Sequence, residues 1–158
     1  MLSLCLLPLI TMDARAQGGA KYFPPGKVNP NPNCPQRERK YNLCFDQRGG
    51  GVVDNGNVSE FFYAIILRTA AKCSVTEVER LEVQKMFPTN KVFATRFECD
   101  DDLENNVTYA NINREVGFIA VFAGRTLAAA KGFLRTVQAT RQFPGANIRK
   151  TQVIATPP

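Results

Sequence analysis

Cysteines, a run of carboxylates and twenty lysines and arginines are the side chains with chemical potential in this 158-residue chain; histidine is absent. That absence removes the usual general base at neutral pH, the Ser-His and Cys-His nucleophile pairs and the commonest metal ligand. No Gly-rich phosphate loop occurs, and no nucleophile stands beside a credible base. The reading is therefore of a non-catalytic protein with no cofactor and no metal. Glu98, Asp100, Asp101, Asp102 and Glu104 do not follow the spacing of an EF-hand loop and read as a solvated turn.

Cys34, Cys44, Cys73 and Cys99 remain once Cys5 is assigned to a leader. An even number in an exported chain favours disulfides. Three pairings are open, and Cys34–Cys44 with Cys73–Cys99 is the one chosen here. The first closes a short loop in a polar segment; the second follows from the strand arrangement below. A four-cysteine zinc site is the alternative, but no C-x-x-C pair supports it. The leader itself is the apolar run Met1–Ile10 followed by Ala14-Arg15-Ala16, a small-x-small cleavage pattern, so residues 1–16 read as a signal peptide. Periplasmic or secreted localisation follows. No apolar run reaches the length of a membrane-spanning helix, so no stable insertion is expected after cleavage.

The net charge is +6. From Arg114 onward there are Arg114, Arg125, Lys131, Arg135, Arg141, Arg149 and Lys150 against Glu115 alone. A basic final third points to anionic partners, such as an envelope polymer, rather than to nucleic acid in an exported setting.

The elements that must position these groups come next. Residues 17–57 are rich in Gly, Pro, Asn and Gln and read as an extended arm, available for contacts with envelope proteins. Residues 58–156 read as the domain. Phe61–Thr69 is apolar on both alternations, as a central strand is. Ser74 and Glu77 have the spacing of a capping box, and Val75, Val78, Leu81 and Met86 read as the stripe of a helix that Pro88 stops. Lys91–Phe97 is a second strand, and Val107–Ile112 a short strand or ordered loop. Val116–Ala123 is a third strand. Thr126 caps a helix over about 127–141 with a stripe of Leu127, Ala130, Phe133, Leu134 and Val137. Ala146–Ile154 is a fourth strand.

The two halves superpose in sequence. Phe87-Pro88 and Phe143-Pro144 both end helices, and 143 − 87 = 56. The same offset sets Phe62 on Phe118, Ala64 on Ala120, Ile65 on Val121 and Val92 on Ile148. Each half is strand, helix, strand. The fold class expected is α+β, a βαββαβ ferredoxin-like sandwich: a four-stranded antiparallel sheet with two helices on one face. The first two strands then run the same way, so Cys73 and Cys99 leave them at one rim of the sheet.

The segment Phe118-Ile119-Ala120-Val121-Phe122-Ala123-Gly124-Arg125-Thr126-Leu127-Ala128-Ala129-Ala130-Lys131, with Phe143-Pro144-Gly145-Ala146-Asn147-Ile148, resembles the SPOR (sporulation-related repeat) domain. The resemblance covers about residues 60–155. It implies binding of bacterial peptidoglycan glycan strands through an open sheet face. The family's first strand usually carries Gln and ends in Gly-Ser-Phe, where this chain has Gly124-Arg125-Thr126. On such a face, alternation nominates Arg96, Lys150 and Gln152 from the outer strands. Phe118 and Phe122 would stack on sugar rings, and Arg68 and Arg125 stand at strand ends. Core packing for the two phenylalanines and plain solvation for the cations are the competing readings. A structural or adaptor subunit of an envelope assembly is the alternative function. An RNA-binding module is disfavoured, since the aromatic signature of that class is not found.

Overall fold

The computed structural model describes residues 24–34, 41–46, 51–53, 56–96, 99 and 107–155. The expected signal peptide and the acidic residues Glu98, Asp100, Asp101, Asp102 and Glu104 lie outside them. In chain order the elements are β1 (Val28–Asn29), β2 (Cys44–Phe45), β3 (Gly51–Val53), β4 (Gly56–Val58), β5 (Phe62–Ala71), α1 (Glu77–Met86), β6 (Val92–Ala94), β7 (Val107–Tyr109), β8 (Val116–Gly124), α2 (Leu127–Ala139), β9 (Asn147–Thr151) and β10 (Val153–Ala155). The fold is α+β. One four-stranded sheet has the order β6-β8-β5-β9, and all its neighbours are antiparallel.

The internal repeat is written into the register of this sheet. Ile65 pairs with Val121, its own equivalent at the 56-residue offset, so a pseudo-two-fold axis passes between them. Val92↔Val121, Phe93↔Ala120 and Ala94↔Ile119 on one side map onto Ile148↔Ile65, Arg149↔Ala64 and Lys150↔Tyr63 on the other. The irregularities repeat too: Leu67 is skipped on β5 and Ala123 on β8, again 56 apart. A bulge placed twice at equivalent positions bends both central strands alike.

The continuous apolar character of β5 and β8 is explained by cover on both faces. Ile65, Leu67, Val92, Ala94, Ile119 and Val121 pack with Val83 of α1 and Ala130 and Val137 of α2. Both helices thus lie on one face. Phe62, Ala64, Ile66, Phe93, Phe118, Ala120 and Phe122 pack on the other, against Val28, Leu43, Phe45, Val107, Tyr109, Val153 and Ala155. A second four-stranded sheet, β3-β4-β10-β7, supplies the last four of these partners. The open sheet face expected from the SPOR resemblance is therefore covered. Phe93 sits at the centre of that layer, stacked on Tyr109 at 4.9 Å and edge-on to Phe62 and Phe118.

The expected fourth strand breaks at Gln152. Residues 147–151 stay in the helix-backed sheet, and 153–155 cross into the second sheet. Described parts of the arm also pack on the domain. Gly26 N donates to Val58 O, Lys91 N donates to Pro30 O at 2.7 Å, and Ala94 N donates to Tyr41 O at 2.8 Å. The arm thereby caps the outer edge of β6, satisfying amides that an edge strand would otherwise expose.

Helix α1 starts two residues later than its sequence signal. The capping box is Thr76 with Glu79: Glu79 N donates to Thr76 Oγ1 at 3.3 Å, and Thr76 N to Glu79 Oε2 at 2.9 Å. Cys73 has φ 63°, in the left-handed region, and Ser74 Oγ closes the turn on Ala71 O. Ser74 is thus spent on the turn. The stripe shifts with the start: Val78 and Leu81 are exposed, and Arg80 and Val83 are the buried positions. Helix α2 begins as expected at Thr126, whose side chain accepts from Ala129 N. Its stripe holds apart from Leu127, which is exposed.

Both disulfides form, Cys34–Cys44 with Cα atoms 6.4 Å apart and Cys73–Cys99 with Cα atoms 5.5 Å apart. The first ties the segment after β1 to β2; the second ties the exit of β5 to the chain beyond β6.

Candidate functional site

The seven residues nominated from sequence do not converge. Phe118 and Phe122 are 2% and 5% exposed and belong to the layer between the two sheets. They are core, not a stacking platform, because the second sheet lies over them. Arg96 is also buried rather than on a polar face. Its Nη1 donates to Val75 O at 2.6 Å and to Cys73 O at 3.2 Å, and its guanidinium lies 5.0 Å from the Tyr41 ring centre. It holds the turn into α1, beside the Cys73–Cys99 bridge.

Two further cations are engaged internally. Arg68 pairs with Glu79 at 2.6 Å. The Thr76 backbone amide first, and then that guanidinium, hold the Glu79 carboxyl below its usual range. Arg125 pairs with Glu60 at 2.6 Å and donates to Val28 O at 2.8 Å, locking the arm to the β8 exit. Gln152 sits at the β9–β10 break, where its carbonyl accepts from Ala110 N at 3.0 Å. It is half-buried.

Lys150 is the nominated cation that is exposed and without a carboxylate partner among the described residues. It alternates on β9 with Ile148, which packs on the helix side, so Lys150 points to that side as well. Its Nζ lies 5.1 Å from the centre of the Phe61 ring, which is 49% exposed. Helix α2 packs against β9. Phe133 faces α1 through an edge contact with Phe87 at 5.7 Å. Lys131 and Arg135 lie two residues to either side of Phe133. At about 100° of rotation per residue, they fall on the exposed side of α2, roughly opposite Phe133. Both are exposed, as is Arg141 just beyond the helix. Among the described residues no carboxylate pairs with Lys131, Arg135, Arg141 or Lys150.

Lys131 and Arg135 on α2, Arg141 just beyond it and Lys150 on β9 are thus exposed cations without a carboxylate partner among the described residues, with the exposed Phe61 ring beside Lys150. Such cations can take an anionic polymer, with the ring available to the apolar face of a sugar. Sequence reading missed Phe61, Lys131, Arg135 and Arg141 as site residues. The excess of basic residues after Arg114 was the available signal, and helix phase relative to Phe133 was the missing step. Buried cations also occur. Lys91 is pushed down to about 8, first by burial and then by the neighbouring Arg80 charge. Arg80 itself is held by Glu77 at 2.7 Å and donates to Val92 O. These are structural groups, out of reach of a ligand. No family model, curated protein or solved structure matches this chain.

Proposed function

We propose that this chain is an exported, non-catalytic module that binds an anionic envelope polymer through the exposed cations of α2 and β9. The observation that carries the reading is that Lys131, Arg135, Arg141 and Lys150 are exposed and have no carboxylate partner among the described residues, while Arg68, Arg80 and Arg125 are each tied to one. Export agrees with the two disulfides, which persist in oxidising compartments such as the periplasm or outside the cell. Peptidoglycan is the polymer that the SPOR resemblance favours. The strand order and the mirrored register of the helix-backed sheet support a ferredoxin-like βαββαβ core of the same kind. The mode of binding differs from the family's, since the sheet face is occupied and the cations stand on the helix side.

The test is co-sedimentation with purified peptidoglycan sacculi across a salt series. Binding at low salt should weaken steadily as ionic strength rises, because exposed charges are screened within about 10 Å at 0.1 M salt. The triple variant Lys131→Gln/Arg135→Gln/Lys150→Gln should lose most of the binding and keep its unfolding midpoint. Arg149→Gln, on the opposite side of the sheet, should bind as the parent does. No sedimentation at low salt would reject peptidoglycan as the polymer.

A further inference from the structure

The two edges of the helix-backed sheet are treated differently. The β6 edge is capped by the arm through Pro30 O and Tyr41 O. On the other side β9 pairs with β5 only from Phe62↔Thr151 to Ile66↔Asn147. Strand β5 continues to Ala71, still paired with β8 on its far side. From Leu67 to Ala71 its near edge has no strand partner among the described residues.

Cavities flank this edge on both faces of the sheet. One, of about 340 Å³, has Ile112, Val116, Phe118 and Arg149 in its lining and lies on the side of the second sheet. The other, of about 400 Å³, is lined by Leu67 and the Phe143-Pro144-Gly145 turn and lies on the helix side. They share Ile66, Thr69 and Asn147. Asn147 Oδ1 is buried at this junction and accepts no hydrogen bond from the described residues. A buried acceptor left unmet is costly, and an incoming N–H would recover that cost.

We propose that an extended polypeptide segment adds here as a strand, continuing the line of β9 along Leu67–Ala71. Three features select a peptide over other ligands. A free strand edge offers donors and acceptors at the spacing of another strand, about 3.3–3.4 Å per residue. Successive side chains of an added strand point to opposite faces, and this edge has one cavity on each face. Arg149 lines the second-sheet cavity, is exposed and has no ion pair among the described residues. The partner segment therefore carries an acidic side chain on that face and small β-branched side chains on the helix face. The site centres on the β5 edge, its helix-side cavity reaching Gln142 next to Arg141, and fits a protein-adaptor role.

The probe is the capped heptapeptide Val-Asp-Val-Thr-Val-Asp-Val, added to the full chain at up to about 5 mM, a range suited to weak strand addition. Hydrogen exchange read by NMR should slow at amides within Leu67–Ala71 and shift the Asn147 side-chain resonances. Two N-methylated versions, on the odd and on the even residues, separate pairing from general stickiness. Only one set faces β5, so one version should lose binding and the other keep it. Arg149→Glu should weaken the parent peptide at least about fivefold, and a Lys-for-Asp peptide should recover the loss. No protection at Leu67–Ala71, or equal binding by both N-methylated versions and the parent, overturns the proposal. Protection of the same amides by chitotetraose in place of the peptide overturns it in favour of a saccharide site.

Discussion

Arg96 offers the sharpest separation between a ligand-binding cation and a structural one. In Arg96→Met the carbonyls of Val75 and Cys73 lose their guanidinium donor, from 2.6 and 3.2 Å. A buried carbonyl left without a partner costs about 1–3 kcal/mol, and hydrogen bonds to charged groups lie toward the upper part of that range. Losing the contact over Tyr41 adds about 0.5–1 kcal/mol. Relief from burying the guanidinium offsets part of this. The net destabilisation expected is about 3 kcal/mol, which for a chain of this size lowers the melting temperature by roughly 10 °C. Urea unfolding followed by circular dichroism measures the loss, and sacculus binding is assayed on the folded variant. Arg96→Lys should recover only part of the stability, since one ammonium lacks the planar fork that serves several acceptors. A variant that melts within about 2 °C of the parent, a difference near 0.5 kcal/mol, while losing polymer binding would refute the structural assignment.

Other consequences are measurable by the same methods. Cys73→Ser/Cys99→Ser opens a loop of sequence separation 26, and loop entropy predicts a loss of about 3.5 kcal/mol, checked by comparing unfolding midpoints. Lys91 keeps its proton in the unfolded chain until about 10.5 but releases it near 8 when folded. The unfolded state therefore binds more protons between those values, and stability rises with pH across that window. Urea midpoints at successive pH values should show this rise, and Lys91→Met should flatten it. Thr76→Ala removes the acceptor for Glu79 N and should cost about 1 kcal/mol, whereas Ser74→Ala should not reproduce a cap loss of that size.

The duplicated core was legible because its signals are local. Phe87-Pro88 and Phe143-Pro144 mark helix ends, Thr126 caps α2, and equivalent positions of the two halves carry similar apolar side chains. Those features located the four strands of the helix-backed sheet to within a few residues. The second sheet was not legible. It gathers Gly51–Val53 with Gly56–Val58, Val107–Tyr109 and Val153–Ala155 from three distant parts of the chain, and three-residue strands leave almost no periodicity. Yet β5 and β8 carried the warning. A strand apolar on both alternations needs cover on both faces, and that is incompatible with an open binding face over Phe118 and Phe122. The site failed for the same reason. Sequence position put Arg96 and Gln152 on outer strands, but β6 ends at Ala94 and β9 at Thr151, so both residues fall in connections.

The pseudo-two-fold register of the helix-backed sheet makes its two halves partners. Ile65 meets Val121, its own equivalent, and the bulged Leu67 and Ala123 stand symmetrically about that pair. The contact between the halves is therefore isologous: each half presents the same edge to the other. Each half thus serves the other as its own partner would in a two-fold pair, although the two halves are not alike in their surroundings. Phe93 is the centre of a buried layer, while its counterpart Arg149 is at the surface.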